Sequence, residues 1–535
     1  MFANNKSAGE RSYIPFAFWL GATAVVFGVI AHFPMYIESA AMNYRMVGMK
    51  MSPLMYAGMF AIIAGIISVA YALTAPGLRN VRSAAHTLDD VHIRALDDAK
   101  FTAAHWKLFA VLVVALIVDV MKPATLGFVL PGTAAEYGLS KSAAALMPVA
   151  GILGTTVGSF IWGWAGDTIG RRAAILLAAI VFIGTSICGA MPSYSWNVLM
   201  CFLMGLGAGG MLPITFALMA EIAPVRHRGF IVVLLGGLGT IGGYLAASGL
   251  ATLLEPSFGW RIMWLVGLPT GAVLILLNRF IPESPRFLMT QARDEEAAQV
   301  LQKFGVVVDI QRDPSNQPVR KVSGNMLPHA REMFLGAVAP LTYALSLYGL
   351  AWGLVNFGFL LWLPMHLREV GLSVGASDQL LAQSALIAFP STLLAAWAYH
   401  YWSAQGSMVV CAALTAVTLA GFALLGVDLA KHSPIILAAL IVVLLATSSS
   451  VIAMLSPYTA EVFPVKLRAS GTGWTAGCSK AAGVATLSAA VFGFTPGVSM
   501  GALIAAAPML GAALVMAIAG VETRGASLET IQRKI

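Results

Sequence analysis

The sequence predicts an all-α integral membrane protein with fourteen membrane-spanning helices. Hydrophobic residues make up 59% of the 535 residues and charged residues only 10%, and the mean hydropathy is +0.82. A soluble protein carries about 25% charged residues. Apolar runs of about 20 residues, long enough to cross a bilayer, recur along the whole chain. Lys and Arg are also unevenly divided between the segments that join these runs.

The fourteen apolar runs give the predicted spans in order. They cover residues 13–34, 54–74, 107–131, 143–166, 173–190, 197–220, 230–252, 261–281, 337–365, 379–402, 407–427, 435–460, 471–493 and 500–520. The first run is too long for a signal peptide and lacks a small-residue cleavage site, so we expect it to remain as a helix.

The distribution of basic residues predicts the orientation. With a cytoplasmic N-terminus, 24 of the 32 Lys and Arg residues fall in inner segments and six in outer segments; Lys122 and Lys480 lie inside spans. An even number of spans then places the C-terminus in the cytoplasm too. The net charge of +8 is explained by this topology, so it does not indicate a nucleic-acid partner.

The spans and polar segments predict six regions. They are an accessory two-helix hairpin (1–76), a cytoplasmic linker with an amphipathic helix (77–106), an N-terminal six-helix half (107–282), a second cytoplasmic linker (283–336), a C-terminal six-helix half (337–520) and a cytoplasmic tail (521–535). The hairpin carries no Lys, Asp or Glu within its spans, so we expect it to pack outside the core or to form an oligomer contact.

A short motif occurs once in each half. The segment from Glu221 to Arg228 and the segment from Glu461 to Arg468 share a Glu, a helix-ending Pro and an Arg, and their first residues lie 240 positions apart (461 minus 221). Such a repeat is expected when a transporter contains two duplicated halves.

The loop between the fourth and fifth spans contains Gly163, Asp167, Gly170, Arg171 and Arg172. It resembles the cytoplasmic loop of major facilitator transporters, which implies two six-helix halves that alternate in access. The loop and the repeated motif together indicate inner gating residues, namely Gly163, Asp167, Gly170, Arg171, Arg172, Glu221, Arg228, Glu461 and Arg468. The corresponding loop of the second half, near 396–405, lacks the Asp and the Arg pair.

Other segments resemble one branch of that superfamily. Residues 282–288, which read Pro-Glu-Ser-Pro-Arg-Phe-Leu, residues 205–213 and residues 458–464 are similar to segments of aromatic-acid/proton symporters, organic-ion transporters and synaptic-vesicle-2-related proteins. Spans 230–252 and 337–365 contain no Gln, which weakens the resemblance to sugar porters. The resemblance covers about residues 107–530 and implies a secondary transporter.

Ionisable residues inside spans are costly and therefore mark candidate sites. Asp119 and Lys122 are three positions apart on one predicted helix, where they are expected to pair, and Lys480 lies deep in the thirteenth span. We predict proton coupling at Asp119 and anion binding at the two lysines; the alternative for each lysine is snorkelling to the membrane surface. Tyr348, Trp352, Asn356 and Trp474 complete the candidate list, with helix packing as their alternative role.

The function predicted from these features is proton-coupled transport of small organic anions of the carboxylate class in a bacterial inner membrane. The alternatives are a proton-driven exporter of amphiphilic compounds and a non-transporting membrane sensor. The expected partners are the organic anion, protons and the lipid bilayer. The sequence contains no phosphate-binding loop, metal-ligand spacing or nucleophile–base pattern, so we expect no enzyme activity, metal or cofactor.

Overall fold

The computed structural model describes residues 15–80, 99–209, 211–290, 293–306, 333–369, 371–425, 434–463, 468–494 and 496–524. The described residues form helices joined by short turns, and they contain no strand. Parts of the two linkers and of the tail lie outside the described residues, including most of the amphipathic segment expected between 77 and 106.

The described parts of the hairpin and the first half contain twelve α-helices. They are α1 (Pro15–Ile30), α2 (Phe33–Glu38), α3 (Pro53–Asn80), α4 (Ala103–Tyr137), α5 (Lys141–Ala144), α6 (Leu146–Thr168), α7 (Arg171–Gly184), α8 (Tyr194–Ala208), α9 (Met211–Ile222), α10 (Val225–Phe258), α11 (Ile262–Leu265) and α12 (Gly267–Leu277). Short 3-10 turns at Ser39–Met42, Thr185–Ala190 and Asn278–Phe280 extend three of them.

The described parts of the second linker and the second half contain ten more. They are α13 (Pro285–Thr290), α14 (Asp294–Lys303), α15 (Ala339–Gly353), α16 (Leu363–Glu369), α17 (Val374–Ala388), α18 (Ser391–Trp397), α19 (Ala404–Leu425), α20 (Pro434–Val462), α21 (Arg468–Val491) and α22 (Val498–Ala519). Two π-helical stretches, Leu354–Phe359 and Ala398–Trp402, continue α15 and α18, and a 3-10 turn at Leu360–Trp362 leads into α16.

The all-α membrane fold is confirmed. Within the described residues, twelve helices are long and apolar enough to cross a membrane. The predicted span 197–220 is interrupted, because α8 ends at Ala208 and α9 begins at Met211. The predicted span 471–493 forms α21, a 24-residue helix that is not among the twelve. The count of fourteen spans therefore stays a prediction.

The two halves meet along two seams. Helix α10 packs against α4 in its own half and against α17, α18 and α20 of the other half, and α6 packs against α21. Small residues allow this close contact: a Cβ at Gly236 would lie 3.1 Å from the Cα of Ala453. The end of the bundle that carries residues 170, 224 and 403 is called the inner end below, and the end that carries residues 138, 259 and 371 the outer end.

The accessory hairpin is held together by reciprocal glycine contacts between α1 and α3. A Cβ at Gly21 would lie 2.6 Å from the carbonyl oxygen of Gly65, and a Cβ at Gly58 would lie 2.7 Å from that of Gly28. The two backbones can approach this closely because all four positions lack a side chain.

The hairpin lies against the first half. Ile62 of α3 packs against Gly184 at the end of α7. At the outer end, the Tyr36 hydroxyl donates to the carbonyl of Phe258 (2.7 Å), and the backbone N–H of Met46 donates to the Glu136 carboxylate (2.8 Å). These contacts attach the hairpin to the side of one half and to its outer rim.

Glu136 also anchors the outer end of the first half itself. Its carboxylate pairs with the guanidinium of Arg261, with Nη2–Oε1 at 2.8 Å and Nε–Oε2 at 3.2 Å, and accepts from the indole of Trp260 (2.9 Å). The side chains of Glu136 and Arg261 are 4% and 0% exposed. The guanidinium also donates to the Met191 carbonyl (2.7 Å) and the Tyr137 hydroxyl (2.8 Å), so this buried pair ties α4, the turn after α7 and α11 together.

Removal of one member of this pair is expected to destabilise the protein severely. Arg261→Met leaves the Glu136 charge buried, and breaking such a pair costs about 3–5 kcal/mol, so the Tm of purified protein should fall well below that of wild type. Arg45→Met changes an exposed arginine at the same end and is the control, with an unchanged Tm expected. The double variant Glu136→Gln, Arg261→Met should recover part of the loss; a Tm of Arg261→Met equal to wild type would contradict this account.

Candidate functional site

Asp119 and Lys480 approach each other from opposite halves. Asp119 lies in the middle of α4 and is 4% exposed, and Lys480 lies on α21 and is half-buried. The two side chains interact electrostatically, but the described structure contains no direct ion pair between them. The Lys480 ammonium donates to the hydroxyl of Ser159 on α6, across the seam between the halves.

The Asp119 carboxyl group has unused hydrogen-bonding capacity. It interacts with the backbone N–H of Leu212 on α9, but its Oδ1 atom has no hydrogen-bond partner among the described residues. A buried carboxyl oxygen without a partner is unfavourable, more so when ionised. Binding of a proton, or a closer approach of a cation, would relieve this cost.

Lys122 has a different environment from the one predicted. Its ammonium donates to the carbonyl of Trp264 (3.4 Å) and lies 4.7 Å from the centre of the Phe182 ring. It is fully buried inside the first half, between α4, α7 and the region of α11 and α12. The expected Asp119–Lys122 ion pair is therefore wrong. The side chains of residues three apart on a helix point in directions that differ by about 60°. Here Asp119 therefore lies at the seam between the halves, whereas Lys122 lies inside the first half.

Two of the predicted aromatic residues are engaged within the second half. The Tyr348 hydroxyl donates to the carbonyl of Met408 on α19 (3.0 Å), and the Trp352 indole donates to the carbonyl of Ser448 on α20 (3.0 Å). Both side chains are at least 90% buried. These contacts favour a packing role, because each polar group already has a partner on a neighbouring helix.

The other two candidates, Asn356 and Trp474, are less buried than Tyr348 and Trp352. Asn356 is half-buried and lies in the π-helical stretch Leu354–Phe359, a backbone form that is frequent at functional sites. Trp474 is exposed, and its indole donates to the hydroxyl of Ser346 (2.7 Å). The four aromatic and amide candidates therefore differ in their surroundings, and their proposed contact with substrate stays a prediction.

The inner end of the first half contains a network of backbone and side-chain contacts. Glu283 lies at the N-terminus of α7, where its Oε1 accepts from the backbone N–H groups of Arg171 (2.7 Å) and Arg172 (3.3 Å). Arg171 also pairs with Glu221 (3.5 Å), whose other oxygen accepts from the hydroxyl of Ser284. Burial raises the pKa of the Glu283 carboxyl, and the N–H groups that it accepts from oppose this shift.

Arg172 and Arg228 extend the same network. The Arg172 guanidinium donates to the side chain of Asn278 (2.8 Å), and the Arg228 guanidinium donates to the carbonyl of Ala223 (3.2 Å). Arg228 also acts electrostatically on Glu461 of the other half. The surroundings of Gly163 and the side chains of Asp167 and Arg468 lie outside the described part of the structure, so their predicted gating roles stay predictions.

The second half has a similar inner network built from different residues. Glu522 follows α22, and its carboxylate accepts from the backbone N–H of Ala404 (3.0 Å) at the start of α19 and from the hydroxyl of Ser403. Burial raises the pKa of Glu522, but hydrogen bonds from Ser403, Arg524 and Ala404 outweigh it and hold this pKa below its usual range. Glu461 accepts from the hydroxyls of Tyr399 (2.8 Å) and Thr523 (2.6 Å).

Several residues of these networks were not among the predicted site residues. Glu283 and Ser284 lie in the segment 282–288 that carries the family resemblance, and Glu522 lies within the range of about 107–530 that the resemblance covers, so their positions were available from the sequence. Glu255, Arg368 and Asp378, at the outer end, form a further charged cluster that was also missed. Each of these three residues lies next to the outer end of a predicted apolar span, and this position is the sequence feature that could have identified them. Within the described residues no group of three His, Cys, Asp or Glu side chains could hold a metal ion.

Two helical bundles that face each other with buried charges at the seam have the architecture of a secondary membrane transporter. A family model described as Major Facilitator Superfamily matches residues 108–487, which is more than half of the chain. The chain therefore belongs to the Major Facilitator Superfamily. It is a multi-pass membrane protein, and its family is one of transporters rather than enzymes.

Curated relatives confirm the predicted branch. The chain is 26% identical to the niacin transporter NiaP of Acinetobacter baylyi over 442 residues, 80% of this chain and 96% of that protein. It is 25% identical to the benzoate transport protein of the same organism over 398 residues, 72% of this chain and 82% of that protein. It is also 29% identical to synaptic vesicle glycoprotein 2B of Rattus norvegicus, over 39% of this chain and 32% of that protein.

Solved structures agree in fold. The proton:xylose symporter XylE bound to 6-bromo-6-deoxy-D-glucose superposes with a TM-score of 0.64 and 18% sequence identity, covering 81% of this chain and 100% of that one. At this identity the similarity concerns the fold alone.

Gly170 is expected to be essential for the inner network. Its φ of +106° suits glycine alone, and an added Cβ would collide with the Glu283 carboxylate. A side chain held in such a backbone conformation costs about 1–3 kcal/mol, so Gly170→Ala should lower the Tm and weaken closure of the inner end.

The matched control is Gly166→Ala, where a Cβ would make only an ordinary contact at 3.6 Å with Ile214. Thermal unfolding and spin-label distances across the inner end provide the measurements. Equal behaviour of the two alanine variants would argue against a special role for Gly170.

Proposed function

We propose that this protein is a proton-coupled secondary transporter of small organic acids, carried as anions through alternating access of the two halves. The observation that supports this most directly is the placement of Asp119 and Lys480 on opposite halves at the seam. The similarity to niacin and benzoate transporters supports the substrate class. The excess of basic residues in the inner segments supports cytoplasmic termini, and the bacterial relatives support a bacterial inner membrane.

In this proposal Lys480 is the group that binds the substrate carboxylate. Its ammonium has only a hydroxyl, that of Ser159, as its direct hydrogen-bond partner among the described residues. A carboxylate ligand would replace this weak partner with a charge-assisted hydrogen bond. Lys122 does not take this role, since its ammonium is enclosed by Trp264 and Phe182 inside the first half.

Asp119 is the proposed proton-binding group. An ionised Asp119 attracts Lys480 and competes with the substrate anion, whereas a protonated Asp119 leaves the Lys480 charge available. Proton binding and anion binding then favour each other, and by thermodynamic linkage the effect is reciprocal. Because the two residues belong to opposite halves, occupancy of this pair also affects how the halves move relative to each other.

Substitution of Lys480 is expected to reduce anion affinity. A hydrogen bond to a charged group contributes about 1.5–3 kcal/mol, so Lys480→Gln should weaken binding of nicotinate or benzoate by about tenfold or more. Binding can be measured by calorimetry on purified protein. Lys107→Gln, at an exposed lysine of α4, is the matched control and should bind normally.

Lys122→Gln provides a second comparison. It should lower the Tm, because it changes a buried group, while the affinity of the folded fraction stays near wild type. Normal affinity of Lys480→Gln, or tighter binding of an organic cation or a neutral sugar than of either acid by the wild type, would be evidence against the proposed substrate class.

Neutralisation of Asp119 is expected to separate binding from coupling. Asp119→Asn should bind the anion at neutral pH at least as well as wild type, since the competing charge is absent. Uptake of labelled substrate into proteoliposomes should then no longer respond to an inward proton gradient. A variant that still concentrates substrate with the gradient would show that the proton binds elsewhere, and an absence of uptake by wild type with any of the acids would contradict transport itself.

A further inference from the structure

A buried charged cluster lies at the outer end, where the two halves meet. It consists of Glu255 near the end of α10 in the first half, Arg368 on α16 and Asp378 on α17 in the second half. The Arg368 Nη2 atom lies 3.5 Å from Glu255 Oε1 and 3.3 Å from Asp378 Oδ1. The contact with Glu255 therefore joins the halves, and the contact with Asp378 orients the arginine within its own half.

The cluster contains more carboxyl groups than it has positive charge to balance. Glu255 is 8% exposed and Asp378 is fully buried, and the two carboxyl groups act on each other. Both direct one oxygen to the same guanidinium nitrogen. Their other oxygens, Glu255 Oε2 and Asp378 Oδ2, have no hydrogen-bond partner among the described residues.

Two further titratable side chains, a phenol and an imidazole, lie on the helices that carry Glu255 and Arg368. The Tyr244 hydroxyl of α10 acts on Asp378 and is neutral, so it cannot balance a second carboxylate. His366, on the same helix as Arg368, lies against the ring of Phe359. Arg368 is the guanidinium that pairs with both carboxyl groups.

We propose that Glu255 and Asp378 form a proton-binding site that closes the outer end of the transporter. Two buried carboxylates that share one cation cannot both remain ionised at low cost, so they hold one proton between them when the halves are in contact. That proton supplies a hydrogen-bond donor to a pair of carboxyl groups whose second oxygens otherwise have none. Separation of the halves removes Glu255 from Arg368 and Asp378 and admits water, and the proton then leaves to the solvent as each carboxyl group ionises.

This site would make closure depend on the pH at the outer side. Closed protein holds one more proton than open protein, so acid favours closure and alkali favours opening. The proton enters and leaves on the same side of the membrane, so it is not carried across. Its role is therefore distinct from the proposed coupling at Asp119, and the proposal requires only that the two halves separate at the outer end.

The test is a distance measurement across the outer end as a function of pH. Spin labels at Ala135→Cys in the first half and Ile435→Cys in the second use two exposed positions, in a background with the four native cysteines replaced. In wild type the ratio of closed to open protein should fall as the pH rises, by up to about tenfold per pH unit for one linked proton. In Glu255→Gln this ratio should change much less with pH than in wild type, because a neutral side chain replaces the protonated one.

Three further variants make the result specific. Asp378→Asn keeps Glu255 beside Arg368 and should also lose the pH dependence. This variant replaces Glu255→Gln in the test if Glu255→Gln does not fold. Glu38→Gln changes an exposed glutamate at the same end and should behave as wild type. Asp119→Asn should also keep the pH dependence, which separates this site from the proposed coupling site.

A direct measurement of the proton complements the distances. Difference infrared spectra of closed and open protein should contain a band of a protonated carboxyl group, and Glu255→Gln should remove it. Unchanged pH dependence in both Glu255→Gln and Asp378→Asn, or its loss in Asp119→Asn with retention in Glu255→Gln, would overturn the proposal. These outcomes do not depend on whether any organic acid is transported.

Discussion

A charged side chain inside a membrane protein must be paired, hydrogen-bonded or hydrated, and this requirement determines how the two halves of the protein are joined. At the middle of the seam, Asp119 and Lys480 act on each other from opposite halves. At the outer end, Arg368 reaches across to Glu255. Each of these charges keeps an incomplete set of partners while the halves are in contact, so a ligand, a proton or water can change the balance between closed and open arrangements.

The buried charge pair that maintains a single half is satisfied more fully. The guanidinium of Arg261 is enclosed by Glu136, Tyr137 and backbone carbonyls, and it has no contact with the second half in the described structure. Lys122 is also enclosed within the first half, where its ammonium has one hydrogen bond and a contact with the Phe182 ring. The Glu136–Arg261 pair differs from the seam residues in a physical way: its many partners favour one rigid arrangement, whereas the seam residues can gain further interactions when the halves move.

At the inner end, the two halves form equivalent contacts although their sequences differ. Glu283 follows the last helix of the first half and accepts from the N-terminus of α7, and Glu522 follows the last helix of the second half and accepts from the N-terminus of α19. The two glutamates lie 239 positions apart (522 minus 283), close to the 240-residue offset of the Glu221 and Glu461 motifs. A carboxylate at a helix N-terminus is favourable in itself. This explains how the second half can form such a contact without the Asp and Arg pair of the first.

Composition, hydropathy and local motifs determined the fold class and the family of this protein, because apolar length and loop sequence depend on nearby residues alone. They also predict the division into two halves and mark Asp119 and Lys480 as candidate site residues, since a lone charge in an apolar span is visible in the sequence. The partner of each charge was decided by tertiary structure. Spacing predicted that Lys122 would pair with Asp119, but helix packing turns Lys122 toward Trp264 and brings Lys480, 361 positions away (480 minus 119), to the seam. The outer cluster has the same cause: Glu255 and Arg368 lie on helices of different halves, and only the packing of α10 against the second half brings them into contact.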